Sequence, residues 1–177
     1  HEGYYARGLA QNALLLNGEG EGSPQPGELI DFDSAHATVA AAQPLYCPGA
    51  SAQRNLRIEG NRLIDVATIT TTDGKAQMLG LALHLQGHVV LPVGFVPAPK
   101  FSDGRPESFR YWRDVTAATF HGHAVFKVIY PGGFTLQVTI AVPGKFQIFY
   151  GSAPDTPPAH NDAFYIETNG TNAVFTT

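Results

Sequence analysis

The chain holds one cysteine, one tryptophan and one methionine in 177 residues, and only 15% of those residues are charged. With Cys47 alone no intrachain disulfide forms, so packing must hold the fold. Cys47 precedes Pro48 and Gly49. A thiolate nucleophile needs a base and an electropositive setting that the neighbouring residues do not supply, so a buried structural cysteine is expected. Lysine and arginine number 11 without forming a stripe, and the net charge is −4. That removes the footprint of a nucleic-acid binder, and no nucleic-acid partner is expected. No apolar run approaches the roughly 18 residues that span a bilayer, and no charged-then-apolar leader is present. A soluble chain without a membrane partner is expected. Helical signals are missing too, because every long apolar window is broken by glycine or proline.

Two-residue alternation is what the sequence has in abundance. Phe134, Leu136, Val138 and Ile140 alternate with Thr135, Gln137 and Thr139. Pro131-Gly132-Gly133 links that strand to Val125–Tyr130 as a hairpin turn, and Pro143-Gly144 separates it from a strand at Phe146–Tyr150. Asn169-Gly170 reads as a tight turn between Phe164–Thr168 and Thr171–Phe175, and Gly60-Asn61 as another between Leu56–Glu59 and Leu63–Thr70. Asp73-Gly74 divides Ile69–Thr72 from the Leu79, Leu81, Leu83, Leu85 run, and Asn17-Gly18 ends Ala13–Leu16. Leu29–Phe32 and Ala37–Ala42 are further strands, and the proline-rich stretch from Pro92 to Pro106 is expected to cross between sheets or cover an edge. The expected architecture is all-β: one domain over residues 1–177, an antiparallel two-sheet β-sandwich.

Several residues invite chemistry. An N-terminal His1 can bind copper through its amine and ring, as in lytic polysaccharide monooxygenases, if it is a processed terminus; a fragment boundary is the plainer reading. His121 and His123 share a strand face and would chelate a metal only with a third ligand. Asp31, Asp33 and His36 have a loose metal-like spacing, and His84 and His88 lie at the end of an apolar strand; solvated or structural roles are expected for all five. Arg110, Tyr111, Trp112, Arg113 and Asp114 form the densest aromatic and basic cluster, able to stack a sugar or bind a carboxylate, and equally able to close a core. Asn169-Gly170-Thr171 fits a glycosylation acceptor but also a turn. No nucleophile elbow, phosphate loop, zinc knuckle or dinucleotide fingerprint is present.

The stretch Tyr4-Tyr5-Ala6-Arg7-Gly8-Leu9-Ala10-Gln11-Asn12-Ala13-Leu14-Leu15-Leu16-Asn17-Gly18 resembles the start of the C-terminal sheet domain of heparinase II/III-like polysaccharide lyases, which include oligoalginate lyases. That family has an R-x-x-x-A-H-N run followed by apolar residues and a D/N-G turn. Arg57–Val66, Leu83-His84-Leu85-Gln86-Gly87, Arg113-Asp114-Val115 and the loop from Gly151 to Pro158 resemble later parts of the same domain.

The resemblance implies β-elimination of a uronic-acid glycan such as alginate. Abstraction of the proton beside the carboxylate needs a group that neutralises the carboxylate, a base, and an acid for the leaving oxygen. In that family most of these groups belong to an α/α toroid preceding the sheet domain, with substrate held between the two. The chain is thus expected to be the C-terminal part of a larger bacterial lyase, periplasmic or cytoplasmic, with the toroid and a uronic-acid poly- or oligosaccharide as partners and no catalytic residue of its own. Tyr5, Arg7 and Gln11 are the expected substrate-facing residues, Arg7 pairing with a carboxylate; the plainer reading has the tyrosines packing and Arg7 in a surface pair. The family's structural zinc uses the histidine of A-H-N, where this chain has Gln11, a poor ligand, so no metal or cofactor is expected. A stand-alone carbohydrate-binding β-sandwich is the alternative.

Overall fold

The computed structural model describes residues 2–22, 25–156 and 159–177. Among them twelve strands carry the fold: β1 (Leu14–Leu16), β2 (Glu28–Asp33), β3 (Thr38–Cys47), β4 (Ala50–Glu59), β5 (Arg62–Thr71), β6 (Gln77–Leu85), β7 (His88–Val90), β8 (Val96–Pro97), β9 (Arg113–Ile129), β10 (Thr135–Pro154), β11 (His160–Gly170) and β12 (Asn172–Thr176). Among the described residues helix is confined to a turn, α1 (Glu2–Tyr5), and two 3-10 turns, Gly8–Ala10 and Glu107–Tyr111. No helix among the described residues is long and apolar enough to cross a membrane.

The ladders are antiparallel and join the strands into one open sheet, in the order β1-β6-β11-β10-β12-β5-β4-β3-β2, with β9 on β10 and the short β7 and β8 on β9. Alternation predicts two separate sheets; the hydrogen bonding shows a single continuous one. The reason is the length of β10. Its first half pairs with β9 and meets β12 at Ala141, while its second half pairs with both β9 and β11, so this 20-residue strand belongs to both arms. Pro143-Gly144 does not end it. The pair sits in a bulge where the register shifts between Val142 and Lys145, with Gly144 at φ 81° and the facing Gly122 at φ 76°. A bulge and a turn draw on the same residues, since both need extra backbone and positive φ.

Local turns form as their sequences dictate. Asn17 and Gly18 both have positive φ, 53° and 85°, as a primed turn requires, and Leu16 and Glu19 exchange backbone hydrogen bonds of 2.8 and 3.0 Å. Gly60 at φ 62° turns β4 into β5, and Gly132 and Gly133 turn β9 into β10. Asn169-Gly170 behaves differently from expectation. Both residues remain in β11, opposite Met78 and Gln77, and β12 leaves to pair with β5. Thr171 is the crossing point, its carbonyl accepting the backbone N–H of Thr71 at 2.8 Å. The pairing surface on β5 outcompetes the local hairpin.

The main core lies on one face of β5, β6 and β9–β12, including Ile69, Leu81, Phe126, Ile140, Phe164 and Phe175. Phe126 stacks on Phe164 with centroids 4.4 Å apart. A second cluster fills the opposite face of β6, β10 and β11, where Phe149 and Tyr165 meet Tyr4, Leu9, Phe101, Phe109 and Trp112. The N-terminal segment and the proline-rich stretch cover this face, and β8 within that stretch adds to the edge of β9.

Candidate functional site

The second cluster positions the residues for which a substrate role is expected. In α1, Tyr4 points inward and is fully buried, with its hydroxyl accepting the indole N–H of Trp112 at 3.0 Å. Burial pushes its pKa up to about 12, against the lowering effect of the Trp112 bond. Tyr5 stands on the surface, its ring centroid 5.5 Å from that of Tyr4 in an edge-to-face arrangement, and its hydroxyl donates to the backbone carbonyl of Asp155. This ties the N-terminal segment to the loop after β10. The Gln11 amide donates to the Tyr5 carbonyl at 3.3 Å. Tyr5 and Gln11 therefore come together. Arg7 stands apart, 3.9 Å from the Glu19 carboxylate, with both side chains more than half exposed. A pair so exposed contributes little, which leaves the guanidinium open to a stronger acceptor.

Asn12 is the residue that sequence reasoning passes over. Its side-chain oxygen accepts the His84 backbone N–H at 2.6 Å and its carbonyl accepts Arg54 Nη1 at 2.5 Å. Arg54 in turn holds Asp65 through two hydrogen bonds. Asn12 thereby fixes Gln11 between two strands of the sheet; its presence directly after Gln11 was the signal available. His84 plays a structural part, with Nε2 2.8 Å from the Leu9 carbonyl, Nδ1 3.4 Å from Asn161 Oδ1 and its ring against Trp112.

The residues at hand do not fit the zinc that the resemblance implies. Gln11 stands where the resemblance implies a zinc-binding histidine, and an amide, whose nitrogen here donates to Tyr5, is a poor zinc ligand beside imidazole; both His84 ring nitrogens face oxygen atoms. His121 and His123 are exposed and flank the β9–β10 bulge, opposite Lys145 and Ala141. Asp33 binds His36 Nδ1 at 2.6 Å and the backbone N–H groups of Ala35 and His36, which holds its carboxyl below the ordinary value and closes the turn after β2. Burial pushes the Cys47 thiol up, away from thiolate chemistry. His1 lies outside the described residues, as do Pro157 and Pro158 of the loop after β10. The cluster at 110–114 divides: Trp112 is buried, whereas Arg110, Arg113 and Asp114 are exposed.

No protein-family model matches the chain, and no curated protein matches it. Among solved structures, the fold is similar to that of a heparinase III, with a TM-score of 0.54 and 6% identity over 98% of this chain and 24% of that one. It is also similar to a 4-alpha-glucanotransferase from Thermococcus litoralis, with a TM-score of 0.51 and 12% identity over 89% of this chain and 22% of that one. The chain spans about a quarter of the length of either structure. At such identities the likeness is one of fold, and both neighbours are carbohydrate-active by name.

Proposed function

We propose that the chain is the sheet domain of a polysaccharide lyase acting on uronic-acid glycans of the alginate kind, forming one wall of the substrate cleft through Tyr5, Arg7 and Gln11. The observation that carries this reading is the place of the Tyr4–Gly18 segment. The residues that resemble the lyase family lie across the second face of the sheet, with Tyr5, Arg7 and Gln11 exposed and Tyr4, Leu9 and Leu15 locked beneath. The fold shared with a heparinase III supports it. An aromatic ring, a guanidinium and an amide are the groups that recognise a sugar ring, its carboxylate and its hydroxyls.

The cleavage chemistry needs a base and an acid at the sugar C5 and the leaving oxygen, and no residue of this corner is assigned to either. The isolated chain is therefore expected to bind polyuronate without releasing the ultraviolet-absorbing unsaturated product. Calorimetric titration with alginate oligomers tests the reading: saturable binding is expected, and the triple variant Tyr5→Ala, Arg7→Ala, Gln11→Ala should lose most of it. Elimination by the isolated chain, or full binding by the variant, would overturn it.

The stand-alone carbohydrate-binding module is kept as a second reading, because the glucanotransferase shares the fold at comparable coverage. Preference for a neutral α-glucan over a uronate would favour it.

A further inference from the structure

A cavity of about 290 Å³ opens beside the second cluster, walled by Pro97, Phe101, Trp112 and Val115, with Arg110 and Asp114 at its mouth. This lies near the lower end of ligand pockets, roughly 300–1,000 Å³, so it has room for one sugar ring and not for a chain. Apolar walls with a few convergent polar groups are the usual make-up of such a site.

Two observations point to a ligand at the mouth. First, Asp114 has φ 51°, in the left-handed region that a non-glycine residue adopts at a cost; the other two such residues among those described, Asn17 and Ala37, lie in turns. Asp114 instead sits in a strand irregularity, where the β9–β10 register shifts between Tyr150 and Ser152. There Gly151 lets the chains close up, since a Cβ on it would stand 3.0 Å from the Arg113 carbonyl. A bulge of this kind re-aims a side chain. Second, neither the Arg110 nor the Asp114 side chain has a hydrogen-bond or ion-pair partner among the described residues, although both line the same cavity. Arg110 is the cation and Asp114 the anion among the residues that line the cavity.

We propose that this cavity is a subsite for one anionic sugar ring of an acidic glycan. Arg110 takes the carboxylate, Asp114 accepts from ring hydroxyls, and the ring lies against Trp112 and Phe101. The inference rests on the glycan reading above but uses residues separate from Tyr5, Arg7 and Gln11.

Trp112 is the sole tryptophan, so its indole N–H gives a single resonance that reports on the cavity. The test is a nuclear magnetic resonance titration of the chain with trimannuronate, and separately with maltotriose. Trimannuronate should shift the indole signal and the amides around 97–101 and 110–115 saturably, with maltotriose about tenfold weaker. Arg110→Ala should weaken trimannuronate binding about tenfold. Asp114→Gly should also weaken it while raising the melting temperature by about 2–4 °C, because glycine relieves the left-handed backbone. A merely structural role for Asp114 would give the stabilisation with binding unchanged. Shifts confined to Tyr5, Arg7 and Gln11, an unaltered affinity in Arg110→Ala, or equal binding of maltotriose would each overturn the cavity assignment while leaving a glycan partner in place. Absence of any saturable shift would overturn both.

Discussion

Arg105 and Glu167 meet across the second face through two hydrogen bonds of 2.6 and 2.8 Å, and the guanidinium lies 5.0 to 5.5 Å from the centroids of Phe101, Phe109, Phe149 and Tyr165. The pair pins the proline-rich stretch to β11. Burial works against the charge on Arg105, but the carboxylate outweighs it and the guanidinium pKa is raised. Removing one partner leaves the other charge unmatched and largely desolvated. Glu167→Gln or Arg105→Ala should each cost about 3–5 kcal/mol in urea unfolding. Replacing both with methionine should cost clearly less than the sum of the two.

Gly80 is the second point where the same face is tightly set. A Cβ there would stand 2.5 Å from Tyr165 Cε2, and the Tyr165 ring is fully buried. Gly80→Ala should destabilise the chain by about 1–3 kcal/mol, even though alanine suits a strand at least as well. A thermal melt checks this; an unchanged midpoint would mean that Tyr165 can move.

Both features bear on what the sequence reveals. Turns at Asn17-Gly18, Gly60-Asn61 and Pro131-Gly133 are legible because positive φ within two or three residues is a local demand. The path after Asn169-Gly170 is not, because the choice between a hairpin and a crossover depends on whether β5 offers a better edge, and that edge is formed a hundred residues earlier. Pro143-Gly144 misleads for a related reason: a bulge inside β10 uses turn residues without ending the strand. Arg105 and Glu167 are 62 residues apart, and nothing near either announces the other. At the candidate site, Tyr5 and Gln11 emerge as neighbours because one short segment carries both. Asn12 gains its part only from Arg54 and His84, which reach it from separate strands.

Tyr4 gives a prediction in alkali. Its folded-state pKa of about 12 lies above the ordinary 10.0, chiefly through burial. A raised folded-state value means that its contribution is fully present below pH 10 and is lost as the pH climbs from 10 toward 12. Stability should fall over that window by up to about 3 kcal/mol from this group. Burial raises Tyr46, Tyr150 and Tyr165 as well, so spectrophotometric titration should show several late-ionising tyrosines, and Tyr4→Phe should lower their number by one.

Asp33 gives the opposite sign at the other end of the scale. Its carboxyl is held below 3.8, first by the His36 side chain and then by the His36 backbone. Such a group supports the fold above its ordinary value and loses that support as the pH falls through its lowered one. His36→Ala should move the Asp33 carboxyl resonance titration upward toward 3.8, with little effect on global stability because the turn is exposed.

The most direct test of a uronate-glycan role is migration of the chain through native gels cast with alginate, heparin or amylose. Retardation in alginate or heparin that disappears with Tyr5→Ala, Arg7→Ala and Gln11→Ala is the predicted result. Free migration in both acidic gels, with retardation in amylose alone, would contradict it.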